Sequence, residues 1–210
     1  GLMDCTGHGI PGALLSMMGY NFLNDIVIND KYYMPNKILE ELDQRFRNYF
    51  SLNKTTEPLQ DGMDGIICGF HKQKKILYYS MAGRPLWYKQ DNLWKKHRPD
   101  RNSIGGLRKS NFTLHELNLK NGLEFFIFSD GLSDQFGGPK NKKFLAKRIM
   151  DHLKSMQHYS LSEKGEKLSN FNKESVLNRL VKQLSKSNIK IKNTKQIDLS
   201  WSLKDISRNI

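Results

Sequence analysis

The chain has 210 residues, of which 38% are hydrophobic and 26% charged, and its formal net charge is +13. This length is sufficient for one domain with a sizeable core. No apolar stretch reaches the roughly 18 residues of a membrane span, and no signal peptide is recognisable. The two cysteines, Cys5 and Cys68, have no metal-site spacing. So few cysteines are typical of a reduced intracellular protein rather than a disulfide scaffold, and we predict a cytoplasmic location.

The basic charge raises the question of a nucleic-acid partner. Lysines are widely spread and concentrate over residues 140–195 among polar residues, which is typical of solvated helix faces. The mixed aromatic and basic segments 87–89 and 93–96 alternate like hairpin strands around residues 90–92. We therefore predict no nucleic-acid binding. The excess positive charge favours attraction of a phosphorylated or acidic partner.

The first informative cluster lies at the start of the chain, where Asp4 follows apolar residues. Glycines at positions 7, 9 and 12 follow it and allow close backbone approach to an ion or phosphate. Pro11 suits a helix start, and apolar spacing predicts a buried helix over 11–29. The alternative is an N-cap loop without a ligand. A second helix is predicted over 35–51.

The middle of the chain, from residue 63 to 128, is rich in predicted strands. Segments 66–70 and 76–79 flank a short loop and predict a hairpin. Segments 112–117 and 123–128 flank Lys120, Asn121 and Gly122 and predict a second hairpin.

An apolar run over residues 125–128 leads through Ser129 to Asp130, which is followed by Gly131. The run predicts a buried strand that holds the carboxylate at its end. A rigidly held carboxylate suits Mg²⁺ or Mn²⁺, which prefer oxygen ligands. The alternative is an ordinary Asp-Gly turn after a strand.

The last third of the chain predicts helices over about 142–157 and 172–187, joined by a polar linker at about 158–171. Strands in one run, with helices before and after, indicate an α+β fold of antiparallel sheets covered by helices.

Several motifs together resemble the stage II sporulation protein E-type serine phosphatases, a branch of the PPM-type metal-dependent protein phosphatases. The first motif, at residues 4–13, and the core motif, at residues 129–138, are specific, and the others support the resemblance through their order. The motifs occupy residues 4–13 with 16–19, 61–64, 80–86, 103–106, 129–138 and 196–198. The resemblance covers about residues 1–204.

The resemblance implies a β-sandwich of antiparallel sheets flanked by helices, with metals in a cleft at one end. We expect a single phosphatase domain over 1–210, with a core over 1–138, a helical segment over about 139–190 and a last strand at about 195–204. Family members usually carry a glycine-glycine-aspartate motif upstream of the first turn. We therefore expect the domain to be incomplete, its first strands to be missing, and a full-length form to include an upstream sensor domain.

By resemblance, two Mn²⁺ or Mg²⁺ ions would be held by Asp4, the backbone carbonyl of Cys5, Asp130 and Asp198. Asp130 would bridge the two ions, and Asp198 would complete the second site. A water bridging the ions would attack the phosphoryl group, so no protein nucleophile is required. Ser129 has no identifiable base beside it and is interpreted as structural.

Four further residues are candidates for other roles at the site. His8 is a candidate proton donor or phosphate ligand, or else a turn residue. Asp64 is a candidate for a third metal site, or else part of a turn. Asp134 can orient a metal-bound water. Cys5 is either an oxidation-sensitive thiol or a small buried residue.

The expected function is hydrolysis of phosphoserine or phosphothreonine on a bacterial signalling regulator, such as an anti-anti-sigma factor. The alternative is a catalytically impaired, phosphatase-like interaction module. It is favoured by the absent upstream motif, and by Ile197 and Leu199 on either side of Asp198, where the family usually has two adjacent carboxylates. A basic nucleic-acid-binding domain is the weakest option.

Overall fold

The structure, a computed structural model, describes residues 1–6, 9–52, 62–106, 109–119, 123–134, 136–137, 142–143, 145–160 and 162–167. The chain divides into two compact units, Gly1–Ser129 and Asp130–Ile210. The expected single domain over 1–210, with its core boundary at 138, stays a prediction.

The first unit begins with one strand, two helices and a π-helical segment between them, and continues with a run of strands. Its elements are β1 (Leu2–Cys5), α1 (Gly9–Asn24), the π-helical segment (Asp25–Asn29), α2 (Pro35–Leu52), β2 (Met63–His71), β3 (Ile76–Ala82), β4 (Leu86–Gln90), β5 (Leu93–His97), β6 (His115–Asn118) and β7 (Glu124–Phe126).

These strands form two antiparallel sheets. The first has the order β1-β2-β3-β6 and the second has the order β5-β4-β7. The predicted hairpin of segments 66–70 and 76–79 is confirmed as β2–β3. The segments around residues 90–92 form the hairpin β4–β5. Its turn residues Asp91 and Asn92 have φ values of 51° and 59°, as expected of a two-residue turn that matches the twist of the strands.

The second predicted hairpin is wrong. Its two segments contribute β6 and β7, but β6 pairs with β3 in the first sheet and β7 pairs with β4 in the second. Each strand therefore joins the open edge of one of the two hairpins β2–β3 and β4–β5. Trp87 of β4, for example, lies opposite Phe126 of β7.

The two faces of the first sheet bury different clusters, as alternation along a strand requires. Ile66 and Met81 belong to the cluster that includes residues of the second sheet, such as Leu86. Ile67 and Ala82, one position along, belong to the cluster with helix residues. The α+β prediction of antiparallel sheets flanked by helices is therefore confirmed, with α1 and α2 packed against one face of the first sheet.

Helix α2 confirms the second predicted helix, and Pro35 begins it as expected. Ile38, Leu39, Leu42 and Phe46 form a buried stripe, whereas Tyr49, which was predicted to share this stripe, is 46% exposed.

Helix α1 differs from the buried helix that was predicted over 11–29. Its buried residues are Gly12, Leu15 and Gly19, whereas Leu14 and Met17 are more than half exposed. A Cβ at Gly19 would lie 2.4 Å from Cε of Met63, so small residues face the core and several large ones face outward. The predicted helix also changes to the π-helical segment at Asp25.

The described part of the second unit contains α3 (Asp130–Ser133), β8 (Phe136–Gly137), β9 (Lys142–Lys143) and α4 (Leu145–Ser155). The helix predicted over 142–157 begins at Leu145, because residues 142–143 pair with β8. A short helix at 162–167 lies within the predicted linker. The predicted helix 172–187 and the predicted last strand 195–204 lie outside the described residues.

Candidate functional site

Two carboxylates predicted from the sequence meet on neighbouring strands of the first sheet. Asp4 on β1 is the direct register partner of Asp64 on β2. Residues directly opposite each other on paired strands point to the same face of the sheet. The strand pairing therefore places two acidic side chains side by side, although the sequence separates them by two helices.

The turn after β3 lies against the side chain of Asp64. Gly83 has a φ of +70°, and a Cβ at this position would lie 2.3 Å from Cγ of Asp64. The N–H of Arg84 donates to the carbonyl of Ala82 at 2.8 Å, which closes a three-residue γ-turn around Gly83. Only glycine fits here, since it accepts positive φ and leaves space for the carboxylate.

Arg84 lies between the two carboxylates. Its Nη2 is 2.9 Å from Oδ2 of Asp4, and its Nε is 3.7 Å from Oδ2 of Asp64. The three side chains are 16%, 27% and 29% exposed, in the order Arg84, Asp4 and Asp64. The acidic pair is thus partly shielded from water and neutralised in part by one guanidinium group.

The loop at residues 103–106 completes the surroundings of Asp64. The hydroxyl of Ser103 donates to Oδ1 of Asp64 at 2.9 Å. The next residue, Ile104, exchanges two backbone hydrogen bonds of 2.8 Å with Met63. This loop, which sequence analysis identified only as a supporting motif, fixes the orientation of the Asp64 carboxylate.

The backbone after Asp4 is held by Thr6. Both its N–H and its hydroxyl donate to the carbonyl of Gly62, at 2.9 Å and 2.6 Å. Cys5 is half-buried, and the hydroxyl of Ser16 lies 3.2 Å from its sulfur. The segment that carries Asp4 and Cys5 is therefore tied to the start of β2.

The remaining predicted site residues are placed as follows. β7 ends at Phe126, so Asp130 does not end a strand directly as predicted. It is the exposed first residue of the short helix α3, and its carbonyl accepts the N–H of Asp134 at 2.8 Å. Asp134 also forms an ion pair of 3.2 Å with Lys143. His8 and Asp198 lie outside the described residues.

The donor chemistry of the Asp4–Asp64 pair fits a hard divalent cation, since it offers carboxylate oxygens that already attract a cationic group. Within the described residues, no group of three or more His, Cys, Asp or Glu side chains is arranged to hold a metal ion.

Sequence analysis missed the part played by Arg84. The signal that could have identified it is an arginine between Gly83 and Pro85, shortly after the end of a buried strand. A charged residue held at the end of a buried strand is well placed to face a site.

Solved structures with this fold include several bacterial phosphatase domains. The SiaA PP2C domain of Pseudomonas aeruginosa matches with a TM-score of 0.71 and 26% identity, over 82% of this chain and 67% of that one. The PP2C domain of SpoIIE from Bacillus subtilis matches with a TM-score of 0.60 and 15% identity, over 82% and 48%. RsbX in complex with magnesium matches with a TM-score of 0.55 and 20% identity, over 80% and 70%. The last two likenesses concern the fold alone.

The architecture is therefore that of a PP2C-type, or PPM-type, serine phosphatase domain. The family described as Stage II sporulation protein E (SpoIIE) matches residues 1–170, and the chain belongs to this family, as its motifs predicted. No curated protein gives a match. Among the described residues, no helix has the length and apolar character needed to cross a membrane.

Proposed function

We propose that this chain is a metal-dependent phosphoprotein phosphatase domain. The observation that carries the proposal is the cross-strand pair of Asp4 and Asp64 in a member of the SpoIIE family. Two fixed carboxylates on the paired strands β1 and β2 provide the oxygen ligands that Mg²⁺ and Mn²⁺ prefer. The magnesium in the structure of RsbX, a protein with the same fold, supports this choice of cofactor.

The proposed ligands are Asp4, the carbonyl of Cys5, Asp130 and Asp198, with Asp64 and Asp134 in supporting positions. Two ions are expected, as in the family motif pattern. Cations at this site would neutralise the charge of the phosphoryl group and lower the pKa of the attacking water.

The protein's own residues would then position the reacting groups. Ser103 and the γ-turn at Gly83 hold the Asp64 carboxylate in one orientation. His8 is the proposed donor of a proton to the leaving serine oxygen. Hydrolysis transfers the phosphoryl group to water and restores the hydroxyl group of the substrate. Ser129 takes no covalent part in this scheme.

The proposed substrate is a phosphoserine or phosphothreonine on a bacterial signalling regulator, such as an anti-anti-sigma factor, in the cytoplasm. The net charge of +13 supports this choice, because a basic surface accelerates encounter with a phosphorylated or acidic partner.

Two measurements on the same set of variants test the proposal. Isothermal titration should detect Mn²⁺ binding that weakens by at least about tenfold in Asp4→Asn and in Asp130→Asn, since each loses a charged ligand. Ser129→Ala is the matched control, because it changes the neighbour of Asp130 without removing a carboxylate. It should bind Mn²⁺ like the unaltered chain.

Turnover of an aryl phosphate should be slow, should require Mn²⁺, and should be retained in Ser129→Ala and lost in Asp130→Asn. A folded, Mn²⁺-loaded protein that is inert towards aryl phosphates and phosphoserine proteins alike would contradict the enzyme proposal. That result would favour the phosphatase-like interaction module.

A further inference from the structure

A nearby cation stabilises the acidic pair, and in this structure Arg84 supplies one. Like charges directly opposite each other on paired strands repel, and partial burial strengthens the repulsion because it lowers the effective dielectric constant. Asp4 and Asp64 occupy such opposite positions and are each more than two-thirds buried. Arg84 approaches one oxygen of each carboxylate, at 2.9 Å and 3.7 Å.

The backbone directs Arg84 to this place. The γ-turn around Gly83 reverses the chain at the end of β3, and the N–H of Gly83 is itself fixed by the carbonyl of Asp100 at 3.1 Å. Pro85 restricts the backbone of Arg84 from the other side. Its side chain is only 16% exposed. The guanidinium is therefore a positioned part of the site rather than a mobile surface group.

A divalent cation bound to the same carboxylates would compete directly with this guanidinium. Nη2 of Arg84 already forms an ion pair with Oδ2 of Asp4, at a distance of 2.9 Å. Two cations a few ångströms apart in a partly buried site repel by several kcal/mol at an effective dielectric constant of about 20. Occupation by a metal therefore requires Arg84 to move away from Asp4.

We propose that Arg84 is the resident counter-cation of the acidic pair, and that a divalent metal ion binds only by displacing it. The inference rests on the proposed metal-dependent function. It makes Arg84 a positioning residue with two opposite effects: it stabilises the metal-free protein and weakens metal binding. An ordinary structural residue would support both the stability of the protein and its metal affinity.

The test compares Arg84→Met, which keeps the length of the side chain without its charge, with Arg84→Lys, which keeps the charge. Isothermal titration with Mn²⁺ should show binding about tenfold or more tighter in Arg84→Met, and a smaller gain in Arg84→Lys. Without metal, the Tm of Arg84→Met should be lower than that of the unaltered chain. Saturating Mn²⁺ should raise the Tm of this variant by more than that of the unaltered chain.

Arg45→Met is the matched control. Arg45 also lies among carboxylates, those of Asp25, Asp30 and Glu41, but these lie on or directly after the helical segments and are not part of the acidic pair. This variant should leave Mn²⁺ affinity unchanged. If Arg84→Met folds only when Mn²⁺ is present, this rescue supports the proposal equally well.

Three outcomes would overturn the proposal. Mn²⁺ affinity that is unchanged or weaker in both Arg84 variants would show that the residue does not compete with the metal, and would leave the phosphatase proposal intact. Unchanged affinity with a raised KM for aryl phosphate would assign Arg84 to the phosphoryl group instead. Absence of Mn²⁺ binding in the unaltered chain and in the variants alike would overturn the metal-dependent function, and this inference with it.

Discussion

The carboxylate of Asp43 accepts the backbone N–H of Gly105 at 2.9 Å, although the two residues are 62 positions apart. Its second oxygen accepts the N–H of Ser110 at 3.2 Å and Nε of Arg47 at 2.9 Å. Asp43 is fully buried on α2. One helix side chain thereby holds the loop whose Ser103 reaches Asp64, which links the helical layer to the acidic pair.

Removing this carboxylate should destabilise the protein strongly. Asp43→Ala would leave two backbone N–H groups and a guanidinium without their buried acceptor, at a cost of about 3 kcal/mol. Chemical denaturation followed by circular dichroism would measure the loss. Asp43→Asn, which retains one acceptor oxygen, should lose less. Equal stability of Asp43→Ala and the unaltered chain would contradict this account of the loop.

A methyl group at Gly83 should damage the acidic pair. In Gly83→Ala the Cβ would collide with the carboxylate of Asp64, and the positive φ alone costs about 1 kcal/mol for alanine. We expect a lower Tm and weaker Mn²⁺ binding. Gly106→Ala is the control, since a Cβ there meets only the carbonyl of Ser103 at an ordinary 3.5 Å. Similar losses in both variants would mean that the effect is not specific to the turn.

Acid should weaken the contact between the two sheets. The hydroxyl of Tyr79, in the first sheet, forms a hydrogen bond of 2.6 Å with Nδ1 of His97, in the second sheet. The ring centroids of His97 and His115 are 4.2 Å apart. Burial, and then the neighbouring His97, lower the pKa of His115, with the opposing influence of Asp100 smaller. The unfolded chain therefore binds a proton more readily than the folded protein.

This sign makes stability fall as the pH drops below the unfolded histidine pKa of about 6.5. The free energy of unfolding should decrease by at most about 1.4 kcal/mol per pH unit for this one proton. His115→Gln should flatten that part of the profile. A profile for His115→Gln that runs parallel to the original would exclude His115 as the source.

Cys68 should react slowly with alkylating reagents in the folded protein. Burial raises the pKa of its thiol to about 11, and only the thiolate is nucleophilic. At pH 8, iodoacetamide should therefore label Cys68 much more slowly in buffer than in urea, as peptide mass spectrometry would show. Labelling at equal rates under both conditions would contradict the burial of this side chain.

Local patterns predicted the fold well where neighbouring segments pair with each other. The stripe of α2 and the hairpins β2–β3 and β4–β5 depend on residues close in sequence. The pairing of β6 and β7 was wrong because the choice of partner depends on which sheet edges are open, which a local pattern does not contain. The exposed face of α1 was missed for a related reason. Gly12 was interpreted as a turn residue and Gly19 only as part of a motif, whereas both are buried on α1 and Gly19 faces Met63.

The candidate site was predicted in part. Asp4 and Asp64 were identified by their type and motif, but their pairing follows from the register of β1 with β2. Arg84 and Asp43 were not assigned a role, because a single charged residue has no periodicity to distinguish it. His8 and Asp198 lie outside the described residues, and their roles are proposals.

The position of Arg84 also bears on the order of folding. Asp64 and Arg84 are joined by the single hairpin β2–β3, whereas β1 must close a loop containing two helices before Asp4 reaches its partner. Longer loops cost more entropy to close, so β1 is expected to dock late, and Leu2→Ala should accelerate unfolding more than it slows refolding in stopped-flow measurements. The guanidinium is then already beside Asp64 when Asp4 arrives. During folding, Asp4 and Asp64 therefore never come together without a cation beside them. The positive charge of Arg84 also attracts β1 as it docks.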